Sequence, residues 1–508
     1  MSESLLEMKE ITKHFPGVVA NDRVSLSLLA GEIHALVGEN GAGKTTLMRI
    51  LYGLYKPDGG SIAVKGRTAS IRGPRDAIRL GIGMVHQHFM LLPPFSILEN
   101  VILGEETQKL GVLSLSQPRR RINRIMEDNK LSLDLELSVE EIPVGLQQQV
   151  EILKILYRGA TILIFDEPTA VLTPQEVDEL FKGFREMKRQ GKGIIFISHK
   201  LDEVLEIADR ITVIRQGRIV QSLERSEATK SRIAELMVGK PVLLEVERGP
   251  FHPGATVLEV RELTVKSPLG VAVLNRLSLQ VRAGEIYGIA GVEGNGQSEL
   301  VRAVAVGEEI VGGDILLAGQ SIKSWSVRKR KEAGIAHIPE DRQKFGLLLP
   351  FSVAQNLILG RHYLRPYCTP LQVIDAAAIR ASAREIIARF DIRTPSEDTP
   401  AHALSGGNQQ KAVVARELSA EPKLLIASQP TRGVDIGATE FIHRQLLKAR
   451  DQGKAVLLVS ADLDEVLSLC DRIGVIFKGR IIKEFDHESA EKKEVGFYMM
   501  GEKEHAEA

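Results

Sequence analysis

The sequence predicts an α/β protein built as two tandem copies of one parallel-sheet domain, and three observations predict it. A glycine-rich phosphate-binding loop, Gly38-Glu39-Asn40-Gly41-Ala42-Gly43-Lys44-Thr45-Thr46, is written again as Gly291 to Glu299 with Gln297 in place of the lysine. Its surroundings repeat with it: Ala30-Gly31-Glu32-Ile33 matches Ala283-Gly284-Glu285-Ile286, and Leu201-Asp202-Glu203-Val204 matches Leu463-Asp464-Glu465-Val466. Short apolar runs then alternate with helical pattern, the rhythm of a parallel sheet covered by helices. Self-similarity at about 250 residues is duplication of a whole domain, not a stacked repeat.

In chain order, Glu32 to Val37 reads as a buried strand, the glycine loop follows it, and Thr45 to Tyr52 reads as the helix behind the loop. Thr161 to Phe165 and Gly193 to Ile197 are further buried strands of parallel type. Leu98 to Tyr157 and Val353 to Leu418 interrupt each core with mostly helical sequence and read as inserted helical subdomains. Pro241, Pro250 and Pro253 mark a stretch where helix and strand signals lapse. The expected domains are therefore 1–240 and 256–508, joined by a linker at 241–255. The offset between the halves is 253 residues at the loop (Gly38 to Gly291) and 262 at His199 to Ala461. The second half thus carries nine extra residues, expected in Gly360 to Ser396, where the copies look least alike.

Composition excludes several classes. Lys plus Arg equals Asp plus Glu at 66 each, so no net field exists to hold nucleic acid or an anionic membrane. The cluster Arg119-Arg120-Arg121 with Arg124 reads as a solvated helix face. Cys368 and Cys470 make neither a disulfide framework nor a metal pair, and read as small buried hydrophobes in a reducing compartment. No run reaches 18 apolar residues and the start carries no secretory pattern, so a membrane role is expected to come through a partner.

The chemistry sits in the first half. The loop glycines let successive backbone N–H groups face phosphate oxygens, Lys44 reaches the terminal phosphates, and the Thr45 hydroxyl is placed to ligate Mg2+. Ile162-Leu-Ile-Phe-Asp166-Glu167 puts two acids at the carboxyl end of a strand, where open parallel sheets bind ligands. Asp166 can hold the metal through water, and Glu167 can orient or deprotonate an attacking water. His199 ends the run Ile-Ile-Phe-Ile-Ser where a side chain can reach a terminal phosphate; standing alone it would read as structural.

Together these residues resemble the nucleotide-binding halves of ATP-binding cassette (ABC) transporters, along nearly the whole chain twice. The resemblance implies two ABC-type domains, each with a parallel-sheet core, an antiparallel β subdomain and a helical insert, binding ATP and Mg2+. It implies Gln87 as the glutamine sensing metal and membrane partner, Phe15 as the aromatic stacking on adenine, and His199 as the switch histidine. Leu404-Ser405-Gly406-Gly407-Asn408-Gln409-Gln410 resembles the family signature, which in that family closes over ATP held by the other half because the halves pack head to tail. One implied site then joins Lys44, Gln87, Asp166, Glu167 and His199 with Ser405, and every part is intact. The other has Gln297, Glu340, Ser428, Gln429 and Ala461 at the matching positions, with Pro143 where the signature serine belongs. Pro143 supplies neither hydroxyl nor N–H. The loop aspartate usual after the acids is Thr173 in the first half and Asp435 in the second, so this departure also falls on the degenerate site. No aromatic near Ser267 matches Phe15.

Fused, asymmetric pairs of this kind resemble the ATPase subunits of bacterial importers for simple sugars and nucleosides. That implies two membrane permease subunits, an extracytoplasmic substrate-binding protein, one chain per transporter and a peripheral place on the cytoplasmic face of the membrane. The stretches Met84 to Leu91, Pro143 to Lys154 and Ala170 to Pro174 look most like the nucleoside branch, with ribose-like or galactose-like sugars as the alternative. Phe89 to Leu92 and Phe345 to Leu349, just after the two glutamine positions, are expected to receive the permeases. A soluble tandem ATPase without a membrane partner is the rival class; the balanced charge, the lack of a long charged linker and the ruined second site argue against it.

Overall fold

A computed structural model describes residues 4–86, 89–106, 108–109, 112–169, 172–239, 248–267, 269–307 and 310–501. The chain divides into two compact units, Met1–Val242 and Leu243–Ala508.

In the first unit a six-stranded sheet runs in the order Arg218–Glu224, Arg210–Arg215, Ile33–Val37, Gly193–Ile197, Ile162–Asp166, Ile82–Val85. All neighbours are parallel except the first pair. Ile33–Val37, Ile162–Asp166 and Gly193–Ile197 are buried at every residue, one face packing on the helix Lys44–Leu51 and on the strands Ser4–Phe15 and Val18–Leu29; continuous apolar runs rather than alternation are the consequence. Register then fixes function: Ile197 pairs with Leu36 on one side and Asp166 on the other. The loops that start at Gly38, Glu167 and Ser198 therefore leave one sheet edge side by side.

A four-stranded antiparallel sheet, Val18–Leu29, Ser4–Phe15, Gly59–Val64 and Arg67–Thr68, supplies the β subdomain. The insert holds helices Ile97–Ile102, Ser116–Asn129 and Val144–Tyr157 around Val101, Ile122, Val150 and Leu153, and also a short hairpin of two-residue strands, 108–109 and 112–113, that the helical reading did not contain. In the arginine cluster, Arg121 is not simply solvated: its guanidinium stacks on Tyr157 and donates to the Tyr157 carbonyl.

The second unit repeats this plan, with the sheet order Ile335–Ile338, Leu424–Ser428, Ala455–Val459, Ile286–Ala290, Arg472–Phe477, Arg480–Asp486 and the antiparallel sheet Ala272–Arg282, Thr256–Lys266, Gly312–Leu317, Gln320–Ser321. Arg248, midway along the expected linker 241–255, donates to buried Asp471 at 2.6 Å, which anchors the described part of the linker to this unit; residues 241–247 lie outside the described residues. Cys470 is buried as expected, whereas Cys368 is partly exposed.

The nine extra residues are not all in Gly360 to Ser396. Buried Asn100 accepts from the Leu92 N–H at 2.8 Å, and buried Asn356 accepts in the same way from Leu348, which fixes the local offset at 256. Three extra residues therefore fall between Ile338 and Leu348, where the chain makes one π-helical turn, Arg342–Gly346. The sequence comparison missed them because the apolar flanks on either side still align. Among the described residues no helix is long and apolar enough to cross a membrane.

Candidate active site

The phosphate loop is shaped by glycines that nothing else can replace. Gly43 has φ 102°, and a Cβ there would lie 2.2 Å from the Ala20 carbonyl oxygen; Gly38 would collide with the Ile214 carbonyl at 2.3 Å. Gly43 N-caps the helix Lys44–Leu51 with no side chain over its end, which leaves the first N–H groups facing outward as an anion seat. Buried Asn21 holds the turn from behind by donating to the Gly43 carbonyl. Lys44 is buried and donates from Nζ to the carbonyls of Gly38 at 2.7 Å and Glu39 at 3.0 Å. Burial pulls its pKa below the ordinary lysine value, opposed by the charges of Glu167, Asp166 and Glu39.

Asp166 ends its strand buried, and the Thr45 hydroxyl hydrogen-bonds to it. Burial and the Glu167 charge raise its pKa, while that hydroxyl bond works the other way. Glu167 follows in left-handed backbone, φ 51°, and its Oε1 lies 3.1 Å from His199 Nδ1. Burial would raise the Glu167 pKa, but the bond and charge of His199, with Lys44 and Lys200, hold it below the usual glutamate value. Glu167 is thus an ionised acceptor between a cationic loop and a half-exposed imidazole. Of the residues expected here, Lys44, Thr45, Asp166, Glu167 and His199 come together. Gln87 lies outside the described residues.

Sequence reasoning missed one supporting residue. Glu203, nearly buried, accepts from Thr169 Oγ1 at 2.5 Å and from Ser198 Oγ at 3.4 Å, and pairs with Lys200 at 3.4 Å. It ties the segments after Glu167 and before His199 to one carboxylate, which burial pushes up in pKa. The signal was the repeated Leu-Asp-Glu-Val, whose second copy places Glu465 at the matching point, accepting from Thr431 Oγ1 and His443 Nε2. Because it persists where the acids do not, this carboxylate braces the loops instead of reacting.

In the second unit the frame survives without its chemistry. Gly296 has φ 107° and N-caps Gln297–Ala305, while Gln297 Nε2 donates to the Val292 carbonyl at 2.9 Å. Gln429 Oε1 accepts from the Ala461 N–H at 3.1 Å, where Glu167 meets a histidine. Ser298 donates to Glu340 Oε2 at 3.2 Å, so the hydroxyl matching Thr45 meets a carboxylate at the matching glutamine position.

The remaining candidates occupy helix starts and a hairpin end. Ser405 N-caps Gly406–Leu418, its Oγ accepting from the Asn408 N–H, and Asn408 Nδ2 donates to the same oxygen at 2.9 Å. Pro143 occupies the matching N-cap of Val144–Tyr157 with no side-chain cap. Thr173 and Asp435 are both N-caps as well, of Pro174–Arg189, where Glu176 completes a capping box, and of Ile436–Asp451, so each residue also serves its own helix. Phe15, 37% exposed, lies edge-on to Tyr55 with Lys13 near its ring.

The sequence pattern of the ABC transporter family matches residues 21–170 and 274–432, once in each unit. Over 98% of both chains, the sequence is 49% identical to the guanosine import ATP-binding protein NupO of Bacillus subtilis strain 168. It is 48% identical to the nucleoside import ATP-binding protein NupA of Lactococcus lactis subsp. cremoris strain MG1363, over 98% of this chain and 99% of that one. To the ribose import ATP-binding protein RbsA 1 of Rubrobacter xylanophilus strain DSM 9941 it is 41% identical over 97% of each.

Proposed function

The chain belongs to the ABC transporter family, and from that membership we propose that it is the ATP-hydrolysing subunit of an importer whose cargo is a nucleoside. One observation carries the motor: Lys44, Thr45, Asp166, Glu167 and His199 converge at one sheet edge of the first unit, and every position of that set is altered in the second. The cargo rests on the full-length likeness to proteins named for guanosine and nucleoside import. A simple sugar is the second reading, favoured by the ribose import relative.

The loop N–H groups and Lys44 bind the phosphates of ATP, and Phe15 offers its exposed face to the base. Glu167, ionised and aimed by His199, accepts a proton from the attacking water as the bond to the terminal phosphate breaks. His199, half-exposed, contacts that phosphate. Ser405, Gly406, Gly407 and Asn408, at the start of the helix Gly406–Leu418, and Asp435 contribute further nucleotide contacts. A hydroxyl beside one carboxylate, Thr45 and Asp166, suits Mg2+, which prefers few protein oxygens and completes its shell with water and phosphate; among the described residues no cluster of three acids, histidines or cysteines competes with that reading. Gln87 joins this donor set. When bound, the metal neutralises charge on the phosphates.

The second unit lacks the base and the cation, so the reacting groups of hydrolysis are assigned to the first unit, with Ser405 and Asp435 of the second completing the nucleotide contacts. Import requires membrane permease subunits, and we infer two of them, with an extracytoplasmic binding protein and a peripheral place for this chain at the cytoplasmic face. Matched exposed apolar residues support that docking: Leu92 and Phe95 in the first unit, Leu348 and Phe351 in the second.

Uptake of labelled nucleosides, pentose and hexose in cells lacking the chain tests the whole reading. Rescue of nucleoside uptake by wild type but not by Glu167→Gln is the expected result. Rescue of sugar uptake alone transfers the motor to the second cargo class, and rescue by Glu167→Gln would sink the motor itself.

A further inference from the structure

The three residues that lengthen the second unit after the strand Ile335–Ile338 create a clamp with no counterpart in the first-unit sequence, where only four residues separate Gln87 from Leu92 against seven between Glu340 and Leu348. The π-helical turn Arg342–Gly346 is started by Asp341, whose carboxylate accepts from the Gln343 and Lys344 N–H groups at 2.9 and 3.0 Å. Four bonds then tie the turn to two other segments. Arg342 donates to the carbonyls of Arg432 at 2.9 Å and Gly433 at 3.1 Å, in the loop that leads to Asp435. Gln343 Nε2 donates to Gln409 Oε1 at 3.1 Å, one turn into the signature helix. Arg416, further along that helix, donates to the Gly346 carbonyl at 2.6 Å.

The guanidinium also fits against the helix start itself, since a Cβ on Gly406 would lie 2.7 Å from Arg342 Nη2. Packing does not explain the arrangement: Gln343, Lys344 and Phe345 are exposed, Phe345 at 63%, and only Gly346 is buried within the turn. A planar cation with several fixed donors is what two adjacent backbone carbonyls call for, and a lysine ammonium cannot span them with the same geometry.

We propose that Arg342 is a positioning residue for ATP hydrolysis, holding the signature start at Ser405 and the Asp435 loop at a fixed separation by bonding the carbonyls of Arg432 and Gly433 while lying against Gly406. This rests on the reading above that both segments contact nucleotide. The residue acts through them and touches no reacting atom. Loss of the clamp lets one helix start drift against the other, and misplacement of about 1 Å at a reacting centre costs on the order of a hundredfold in rate.

The experiment uses the purified full-length chain and compares wild type with Arg342→Gln, Arg342→Lys and Glu167→Gln. ATP hydrolysis is followed with substrate concentration, together with binding of a fluorescent ATP analogue and thermal melting. The expected result is a kcat lower by roughly ten- to a hundredfold in Arg342→Gln, with analogue affinity and melting close to wild type, and partial recovery in Arg342→Lys. Wild-type kcat in Arg342→Gln overturns the proposal, as does a kcat loss accompanied by an equal loss of folded protein that Arg342→Lys fully repairs in both readouts, which describes a brace. If Arg342→Gln does not fold, kcat of Arg342→Lys decides: a folded variant at the wild-type rate overturns it, and a reduced rate at wild-type melting supports it. Glu167→Gln separates the two failures. Hydrolysis surviving in that variant removes the underlying reading, whereas its loss beside an unaffected Arg342→Gln removes only the clamp.

Discussion

Glu167 and Gln429 share one unusual backbone: each follows a fully buried five-residue strand, each has positive φ, 51° and 47°, and each donates its N–H to the last residue of the neighbouring strand, Ile197 at 3.0 Å and Val459 at 2.7 Å. A non-glycine residue in this region costs about 1–3 kcal/mol and persists only where its surroundings impose it. The second unit therefore still bears the strain that aims a catalytic side chain, although the side chain it aims is neutral. The two units thus share this geometry although only one carries the acid.

That pair makes Glu167→Gln a clean variant. Gln429 demonstrates that this backbone accepts glutamine, and the amide oxygen can still meet His199, so folding and ATP binding are expected to survive. Loss of the base is expected to lower hydrolysis by about 10²–10⁴. Steady-state turnover beside filter-bound ATP checks it; near-wild-type turnover would assign the base elsewhere.

Gln297→Lys is expected to raise no second hydrolytic activity. Lys44 lies buried with Glu167, Asp166 and Glu39 to balance its charge, whereas the matching neighbours of Gln297 include Ser428, Gln429 and Val292. The new ammonium should therefore lower the melting temperature of the nucleotide-free chain and be compensated by added ATP. Melting with and without ATP, alongside product counted per chain in one turnover, tests both halves of this; a doubled product yield would contradict a single hydrolytic set.

The fold and most of the site were legible because phosphate chemistry demands particular residues at fixed spacing: the glycine loop, the acids at a strand end, the serine at a helix start. The concerted changes at Gln297, Ser428, Gln429 and Ala461 were legible for the same reason, read against the intact copy. Glu203 was quoted only as part of a repeat, because its work depends on Thr169, Ser198 and Lys200, which only folding brings to it. The Arg342 turn was hidden because its partners are backbone carbonyls ninety residues away, and carbonyls leave no mark in a sequence.

His34 predicts acid sensitivity of the first unit. It is fully buried; Ser27 offers only a carbonyl to Nδ1, which therefore carries the hydrogen, so Nε2 accepts from Thr212 Oγ1 at 2.7 Å. Burial, with the nearby Arg210 charge, drops its pKa from 6.5 to about 3. The unfolded chain takes up this proton near pH 6.5 and the folded one only near 3, so this contribution is complete above pH 6.5 and is lost as pH falls toward 3, at up to about 1.4 kcal/mol per pH unit. Urea midpoints at pH 5 and 7.5 should differ more in wild type than in His34→Gln; an equal difference would place the sensitivity in other groups.

Docking to a permease is open to a test that leaves the ATP site alone. Leu92 and Leu348 expose 41% and 44% of their surface, yet the backbone of each is fixed by a buried asparagine, Asn100 or Asn356, that accepts its N–H and returns a bond to its carbonyl. An aspartate at either position should change what the loop offers and not how it is built, and a charge placed against an apolar partner surface is costly unless paired. Leu92→Asp combined with Leu348→Asp is expected to move the chain from the membrane to the soluble fraction with ATP binding unchanged. Fractionation of cells expressing the permeases reads this directly, and persistent membrane association would mean that the two exposed leucines face water or another element, with docking carried by surfaces elsewhere on the two units.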